Sequence, residues 1–202
     1  MKLYYTPGAC SLSPHIVARE AGIPLDLEKV DLHTKKTENG RDYLAINPKG
    51  YVPALELDNG ELLTEGPAIV QYLADLQPES GLAPRSGTME RYRLQEALTF
   101  ISAEIHKGYG PFFDPRLSAE ARAERVAYMQ SRFALVERML EGKEFLLFDR
   151  FTPADAYLFV MIGWKDFLKV DLSGFANALA FHARIGARPA VQAAMRAEGL
   201  IP

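Results

Sequence analysis

The spacing of apolar and polar residues changes part-way along the chain. In the first part, short apolar runs bounded by Gly, Pro and Asn predict strands that alternate with helices. In chain order, the prediction is a strand over residues 2–6, a helix over 10–20, a strand over 25–30 and a helix or loop over 34–44. Two strands follow over residues 52–57 and 61–64, and then a helix over 66–76. Asp58-Asn59-Gly60 predicts a hairpin turn between the last two strands.

A segment rich in Pro, Gly and Ser, residues 77–87, separates this part from one in which strand signals nearly vanish. Helical patterns then cover residues 89–109, 118–140, 152–168, 175–185 and 189–198. Thr152-Pro153-Ala154-Asp155 predicts a helix start, with Thr152 as cap and Asp155 reaching back to the cap amide. We therefore predict an α/β domain over residues 1–77 and an all-helical domain over residues 88–202.

The amino-acid composition excludes several classes of function. The chain has 202 residues, 48% of them hydrophobic, a net charge of −3 and one cysteine. A single cysteine forms no internal disulfide, so a reducing, cytoplasmic location is expected. We find no cluster of Lys and Arg that predicts a nucleic-acid partner and no apolar run that predicts a membrane helix or a signal peptide.

Cys10 is the first candidate for chemistry. It follows a strand and a Pro-Gly turn, where a helix begins. Free amides and the positive end of the helix dipole favour an anion there, so a thiol is expected to shift toward the nucleophilic thiolate. The alternative is a small buried apolar residue, which is the common role of a lone cysteine.

Val52-Pro53 and Glu65-Gly66 are the next candidates. Proline early in a strand removes a ladder donor, and an exposed backbone edge there can bind an extended peptide. Gly66 opens a helix whose free amides suit a ligand carboxylate, and Glu65 suits a ligand ammonium. The alternatives are an ordinary strand-edge proline and a solvated carboxylate at a helix start.

A helix of the second domain places Thr99, Ala103, His106 and Gly110 on one face by their α-helical spacing. The face is small and polar, and His106 titrates near neutral pH in ordinary surroundings. A helix crossing with a satisfied histidine is the alternative. Together, a thiol, a peptide-binding edge and a clip for a zwitterion would form a site that faces a roomier pocket.

The sequence resembles the bacterial beta-class glutathione S-transferases over essentially its full length. Five segments carry the resemblance: Met1–Leu12, Asn47–Leu55, Leu63–Leu73, Glu104–Lys107 and Phe151–Tyr157. The resemblance implies the cytosolic glutathione S-transferase fold, which is a thioredoxin-like N-terminal domain followed by an all-α C-terminal domain. It also implies a homodimer, glutathione as co-substrate and no metal.

The resemblance implies roles in the first domain. Val52 would pair its backbone with the cysteinyl part of glutathione, ahead of a cis Pro53. Glu65 and Gly66 would hold the γ-glutamyl end, and Lys35 would approach the glycyl carboxylate. Cys10 would lie against the glutathione sulfur and would be able to form a mixed disulfide with it.

It also implies roles in the second domain. His106 would line the same cavity, and Glu104 would reach the γ-glutamyl ammonium of the glutathione bound in the partner subunit. Thr99 stands where the family often has asparagine, so its contact across the dimer would lose an amide. An apolar, aromatic pocket would take the electrophile, lined by Tyr5, His106, Tyr109, Phe112, Phe113 and Trp164.

Three functions follow as hypotheses. The first is transfer of the glutathione thiolate to a small apolar electrophile. The second is glutathione-dependent disulfide reduction or dehalogenation through Cys10, which acts as a single cysteine since the chain has no Cys-x-x-Cys. The third is a non-catalytic protein that binds glutathione or another ligand, because a fold does not determine a function.

Overall fold

The computed structural model describes residues 1–202, which form two compact units. The first unit comprises Met1–Arg85 and Ala187–Pro202, and the second comprises Ser86–Gly186. No helix is long and apolar enough to cross a membrane.

The first unit is built on a five-stranded mixed sheet. Its strands are β1 (Lys2–Tyr5), β2 (Asp26–Asp31), β3 (Lys36–Thr37), β4 (Ala54–Glu56) and β5 (Leu62–Thr64). They lie in the order β3-β2-β1-β4-β5, with β1 and β2 parallel and every other neighbouring pair antiparallel. The first three helices along the sequence belong to this unit: α1 (Leu12–Glu20), α2 (Tyr43–Ile46) and α3 (Gly66–Asp75). The α/β prediction is confirmed.

Two details of the first unit differ from the prediction. The segment 34–44 contains the short strand β3 and the start of α2, which the polar sequence did not reveal. The strand predicted over residues 52–57 is only Ala54–Glu56, so Val52 and Pro53 precede the sheet. Pro53 has no N–H to give to a ladder, so pairing starts after it.

The second unit is helical, as predicted. Its helices are α4 (Met89–Phe100), α5 (Lys107–Tyr109), α6 (Ala119–Met139), α7 (Pro153–Leu168) and α8 (Ala176–Gly186). A π-helical segment, Ile101–His106, joins α4 to α5. It was not predicted, because a π turn leaves no distinctive pattern of apolar residues.

Helix α7 supplies much of the core of the second unit, and ten residues from Pro153 to Ile162 are buried in succession. Its first turn carries the predicted capping box. The Asp155 carboxylate accepts hydrogen bonds from the Thr152 amide (2.7 Å), the Thr152 hydroxyl (2.8 Å) and the Leu146 amide (2.7 Å). The box therefore fixes both the helix start and the loop before it.

The last helix, α9 (Pro189–Ala197), packs on α1 in the first unit, whereas we placed all of residues 88–202 in the second domain. Buried polar groups explain the difference. The Glu198 carboxylate bonds His15 Nδ1 at 2.9 Å and accepts from the Gly8 amide at 3.0 Å. Arg188 also donates two hydrogen bonds to Glu20, at 2.6 and 2.8 Å. Helical pattern alone does not show which unit such a helix joins.

Candidate functional site

Cys10 lies in the turn between β1 and α1, two residues before the helix starts. Its side chain is buried, and its Sγ donates a hydrogen bond of 3.2 Å to the Val52 carbonyl. The thiol therefore contacts the backbone that we predicted would bind an extended peptide.

The prediction that the Cys10 thiol itself shifts toward thiolate is wrong. Burial raises the pKa of Cys10 to about 12, and it outweighs the backbone amides of Cys10 and Ser11, which lower it. Glu65 adds a further negative charge that opposes ionisation. The amides at the helix start are present, as expected, but the free-energy cost of desolvating a buried thiolate exceeds the stabilisation that they provide.

The backbone of Val52 is an open binding edge. The Val52–Pro53 peptide bond is cis, which the resemblance implied. The Val52 carbonyl is occupied by Cys10, whereas the Val52 amide donates no hydrogen bond within the chain. Because a buried N–H normally has a partner, this one is available to a ligand carbonyl.

Glu65 and Gly66 sit at the start of α3. Glu65 adopts φ 70° and ψ 116°, a conformation that is costly for a residue with a side chain and that often marks a functional site. Its carboxylate is 67% exposed and pairs with the Lys49 ammonium at 2.7 Å. A Cβ on Gly66 would contact only the Pro53 ring, at 4.0 Å from its Cγ, so α3 begins beside Pro53 with space around Gly66.

Lys35 is held against the turn that precedes Val52. Its ammonium donates to the Gly50 carbonyl at 2.9 Å and lies 5.7 Å from the centre of the Tyr51 ring. The first unit thus gathers a thiol, an unpaired amide, a carboxylate and two ammonium groups, those of Lys35 and Lys49. Lys49 was not among our site residues, although its place in the Asn47–Gly50 turn was the available signal.

The candidate residues of the second unit are less closely grouped. Thr99 is exposed, and its hydroxyl donates to the Gln95 carbonyl of its own helix at 2.7 Å. The Glu104 carboxylate accepts from the Tyr128 hydroxyl at 2.8 Å and lies 3.4 Å from Arg132. Both side chains therefore have partners within their own unit.

The common face predicted for Thr99 and His106 does not hold. The π-helical segment lies between them, and its wider turns shift every later side chain relative to the α-helical spacing. His106 instead shares a 2.6 Å hydrogen bond between its Nδ1 and the Tyr157 hydroxyl of α7. It thus belongs to the interior side of this helix, whereas Thr99 faces solvent.

His106 is part of an aromatic cluster around Trp164. The Trp164 ring centre lies 5.1 Å from that of His106, 5.7 Å from Tyr109 and 5.5 Å from Phe113. Phe113 in turn lies 6.2 Å from Phe167, and these two rings are 52% and 75% exposed. Phe167 was not predicted as a lining residue. The cluster presents an apolar, aromatic surface, as the sequence indicated.

Family models match both parts of the chain. The model described as glutathione S-transferase, N-terminal domain, matches residues 8–76, and the model of the corresponding C-terminal domain matches residues 104–198. Glutathione S-transferase GstA of Escherichia coli O157:H7 is 46% identical over 99% of this chain and 100% of its own.

The chain belongs to the glutathione S-transferase family.

Solved structures agree with this family. A beta-class transferase of Sphingomonas chungbukensis matches with a TM-score of 0.96 at 48% identity. A sphingomonad transferase complexed with glutathione matches with a TM-score of 0.95 at 46% identity, and both matches cover 100% of each chain. The predicted fold, the resemblance to the bacterial beta class and the enzyme class, a glutathione transferase, are confirmed.

Proposed function

We propose that this transferase binds glutathione in an extended form along Val52, with the sulfur beside Cys10. The unpaired Val52 amide next to the Cys10 thiol is the observation that carries this proposal. An extended peptide that adds to an exposed backbone edge uses its own carbonyl as acceptor. The cysteinyl carbonyl of glutathione takes this place, which brings the adjacent thiol toward Cys10.

The two ends of glutathione meet groups of opposite charge. The Glu65 carboxylate binds the γ-glutamyl ammonium, and the amide of Gly66, free at the start of α3, binds the γ-glutamyl carboxylate. Lys35 binds the glycyl carboxylate. Glu65 is already paired with Lys49, and its carboxylate has acceptor positions enough for the ligand as well.

Glutathione supplies the nucleophile, and the chain lowers the energy of its ionised form. Cys10 stays protonated, and its single S–H, which donates to the Val52 carbonyl in the structure, turns to the bound thiolate as a donor instead of competing as a second anion. His106 and Tyr157, joined by their hydrogen bond, provide a polar group within the aromatic cluster around Trp164. The thiolate attacks an electrophilic carbon of the apolar co-substrate, and the leaving group departs with its bonding electrons.

The ultraviolet absorbance of the bound thiolate tests this ionisation, in a Cys10→Ser variant that removes the protein's only thiol. We expect glutathione to titrate about one to two pH units below the value of about 8.5 for a free thiol. A titration unchanged from that of free glutathione would contradict the proposal.

Glutathione-dependent disulfide reduction through Cys10 is a second candidate activity, beside conjugation. The buried, protonated thiol argues against Cys10 as the first nucleophile, because the thiolate is the reactive form. In the other order, a mixed disulfide between Cys10 and a substrate thiol is attacked by glutathione, which forms a glutathione–substrate disulfide and releases the Cys10 thiol. Loss of reductase activity in Cys10→Ala with conjugation retained would assign Cys10 to this second activity alone.

We also propose a homodimer in the cytoplasm. Members of this family are typically dimers, and the lone free cysteine suits a reducing compartment. In the dimer, Thr99 and Glu104 contact the glutathione bound by the partner subunit, with Tyr128 holding the Glu104 carboxylate. Sedimentation at equilibrium measures the state, and a single species at the mass of one chain would contradict the proposal.

A further inference from the structure

The backbone carbonyl of Tyr51 accepts hydrogen bonds from two buried side chains. The Tyr43 hydroxyl donates at 2.8 Å and Asn47 Nδ2 also donates at 2.8 Å. Tyr43 is 0% and Asn47 2% exposed, so neither donor is shared with bulk water. A carbonyl oxygen has two lone pairs, and both are therefore used.

The Tyr51 carbonyl and the Val52 amide belong to the same peptide group. In a trans peptide they lie in one plane and point in opposite directions, and the cis bond of this segment is the next one, Val52–Pro53. Two donors that hold the carbonyl therefore also set the direction of the Val52 N–H. That N–H is the amide without a partner in the chain.

We propose that Tyr43 and Asn47 are positioning residues that aim the Val52 amide at the cysteinyl carbonyl of glutathione. This inference rests on the proposed binding of glutathione along Val52. Donors to one end of a peptide group also polarise its other end, so the Val52 N–H becomes a stronger donor as well as a better aligned one.

The direction of the Tyr51 carbonyl depends mainly on the side chains of Tyr43 and Asn47. The Tyr51 ring is 71% exposed, so its packing does little to hold the backbone in place. The Asn47 side chain is fixed in turn, because its Oδ1 accepts from the Lys49 amide at 3.2 Å. Burial raises the pKa of Tyr43, which keeps its hydroxyl a donor throughout the neutral range.

Calorimetry with two ligands tests the inference. The variants are Tyr43→Phe, Asn47→Ser and both together. The ligands are glutathione and an analogue in which a methylene replaces the cysteinyl carbonyl. We expect each single variant to weaken glutathione binding about three- to tenfold, as for loss of one hydrogen-bond donor. Binding of the analogue, which lacks the acceptor, should change by less than about twofold.

Tyr4→Phe is the matched control. Tyr4 is also fully buried, its ring packs on Tyr43 at 5.6 Å, and its hydroxyl bonds Glu56 and Arg41 without touching the Tyr51 carbonyl. It reports the effect of losing a buried hydroxyl in the same core. We expect it to leave glutathione affinity within about twofold of the wild type, because its hydroxyl bonds Glu56 and Arg41 and gives no hydrogen bond to the Tyr51 carbonyl.

The outcomes separate the two proposals. Equal weakening of both ligands by Tyr43→Phe, or an equal effect of Tyr4→Phe, would show a merely structural role and overturn the inference. Unchanged glutathione affinity in the double variant would also overturn it while the proposed function stands. Absence of glutathione binding by the wild type would overturn the proposed function and this inference with it.

Discussion

At the scale of single residues, two opposing effects set the pKa of Cys10: its position before α1 lowers it and its burial raises it. The start of α1 offers amides that stabilise a thiolate, but the side chain is buried and its Sγ bonds the Val52 carbonyl. The balance favours the neutral thiol at neutral pH. Cys10 is thus a hydrogen-bond donor to the Val52 carbonyl, and its reactivity depends on its ionisation.

Alkylation of Cys10 by iodoacetamide should therefore be slow and should rise with pH. Since the thiolate reacts and the pKa of Cys10 is raised to about 12, we expect the rate to increase about tenfold per pH unit up to about pH 10. The same chain unfolded in denaturant serves as control, with a plateau at ordinary thiol pKa values. A plateau below pH 9 in the folded protein would contradict this account.

The residues that surround the candidate site differ in how far sequence could reveal them. Glu65 and Gly66 were predictable because a helix start beside a glycine is a local signal, and Val52-Pro53 because proline interrupts a ladder. The convergence of Tyr43 and Asn47 on one carbonyl was not predictable. It depends on hydrogen-bond directions that arise only after the turn has folded.

At the scale of elements, local signals predicted the helices well. Proline and capping residues mark the starts of α3, α7 and α9, and the apolar spacing defines their length. The two-residue strand β3 and the π-helical segment Ile101–His106 were missed. Both depend on contacts with neighbouring elements, and they carry no periodic pattern of their own.

The capping box of α7 should contribute measurably to stability. Asp155→Asn replaces an acceptor of three hydrogen bonds by a group with a donor of its own, so we expect a loss of about 1–3 kcal/mol in the free energy of unfolding. Urea unfolding measures this loss. The exposed Asp149→Asn, in the preceding loop, is the control and should change stability little.

The effect of Asp155→Asn on the free energy of unfolding should depend on pH, and the raised pKa of Asp155 sets the direction of that dependence. Burial raises the pKa of Asp155 from 3.8 to about 6, against the hydrogen bonds from Leu146 and Thr152. The folded state therefore binds a proton more readily than the unfolded state, and this group's contribution to stability falls as pH rises through 6. The advantage of wild type over Asp155→Asn should be larger at about pH 4 than at about pH 7. An advantage that grows over this interval would show a lowered pKa instead.

At the scale of the whole molecule, the chain returns to its first unit at its C-terminal end. Residues 187–202 follow the helical unit in sequence but belong to the first unit, where α9 packs on α1. Glu198 holds both His15 and the Gly8 amide, two residues before Cys10. Sequence alone did not show this return, because a buried hydrogen bond between distant residues leaves no local pattern.

Removal of Glu198 should therefore destabilise the molecule more than its place near the chain end suggests. Glu198→Ala removes the carboxylate that accepts from the Gly8 amide and bonds His15 Nδ1, and we expect a loss of about 2–4 kcal/mol in the free energy of unfolding. Arg196→Ala, which loses only an exposed hydrogen bond to the Pro202 carbonyl, is the control and should stay near wild type. Equal unfolding midpoints for the two variants would contradict this role of Glu198.

Binding of glutathione to the intact wild-type protein, measured by titration calorimetry beside Glu65→Gln, tests the central claim most directly. The account predicts saturable binding by the wild type and affinity about 10- to 100-fold weaker in the variant, because the γ-glutamyl ammonium loses its charged partner. Wild-type protein that takes up no glutathione, or a variant that binds it equally well, would contradict the account.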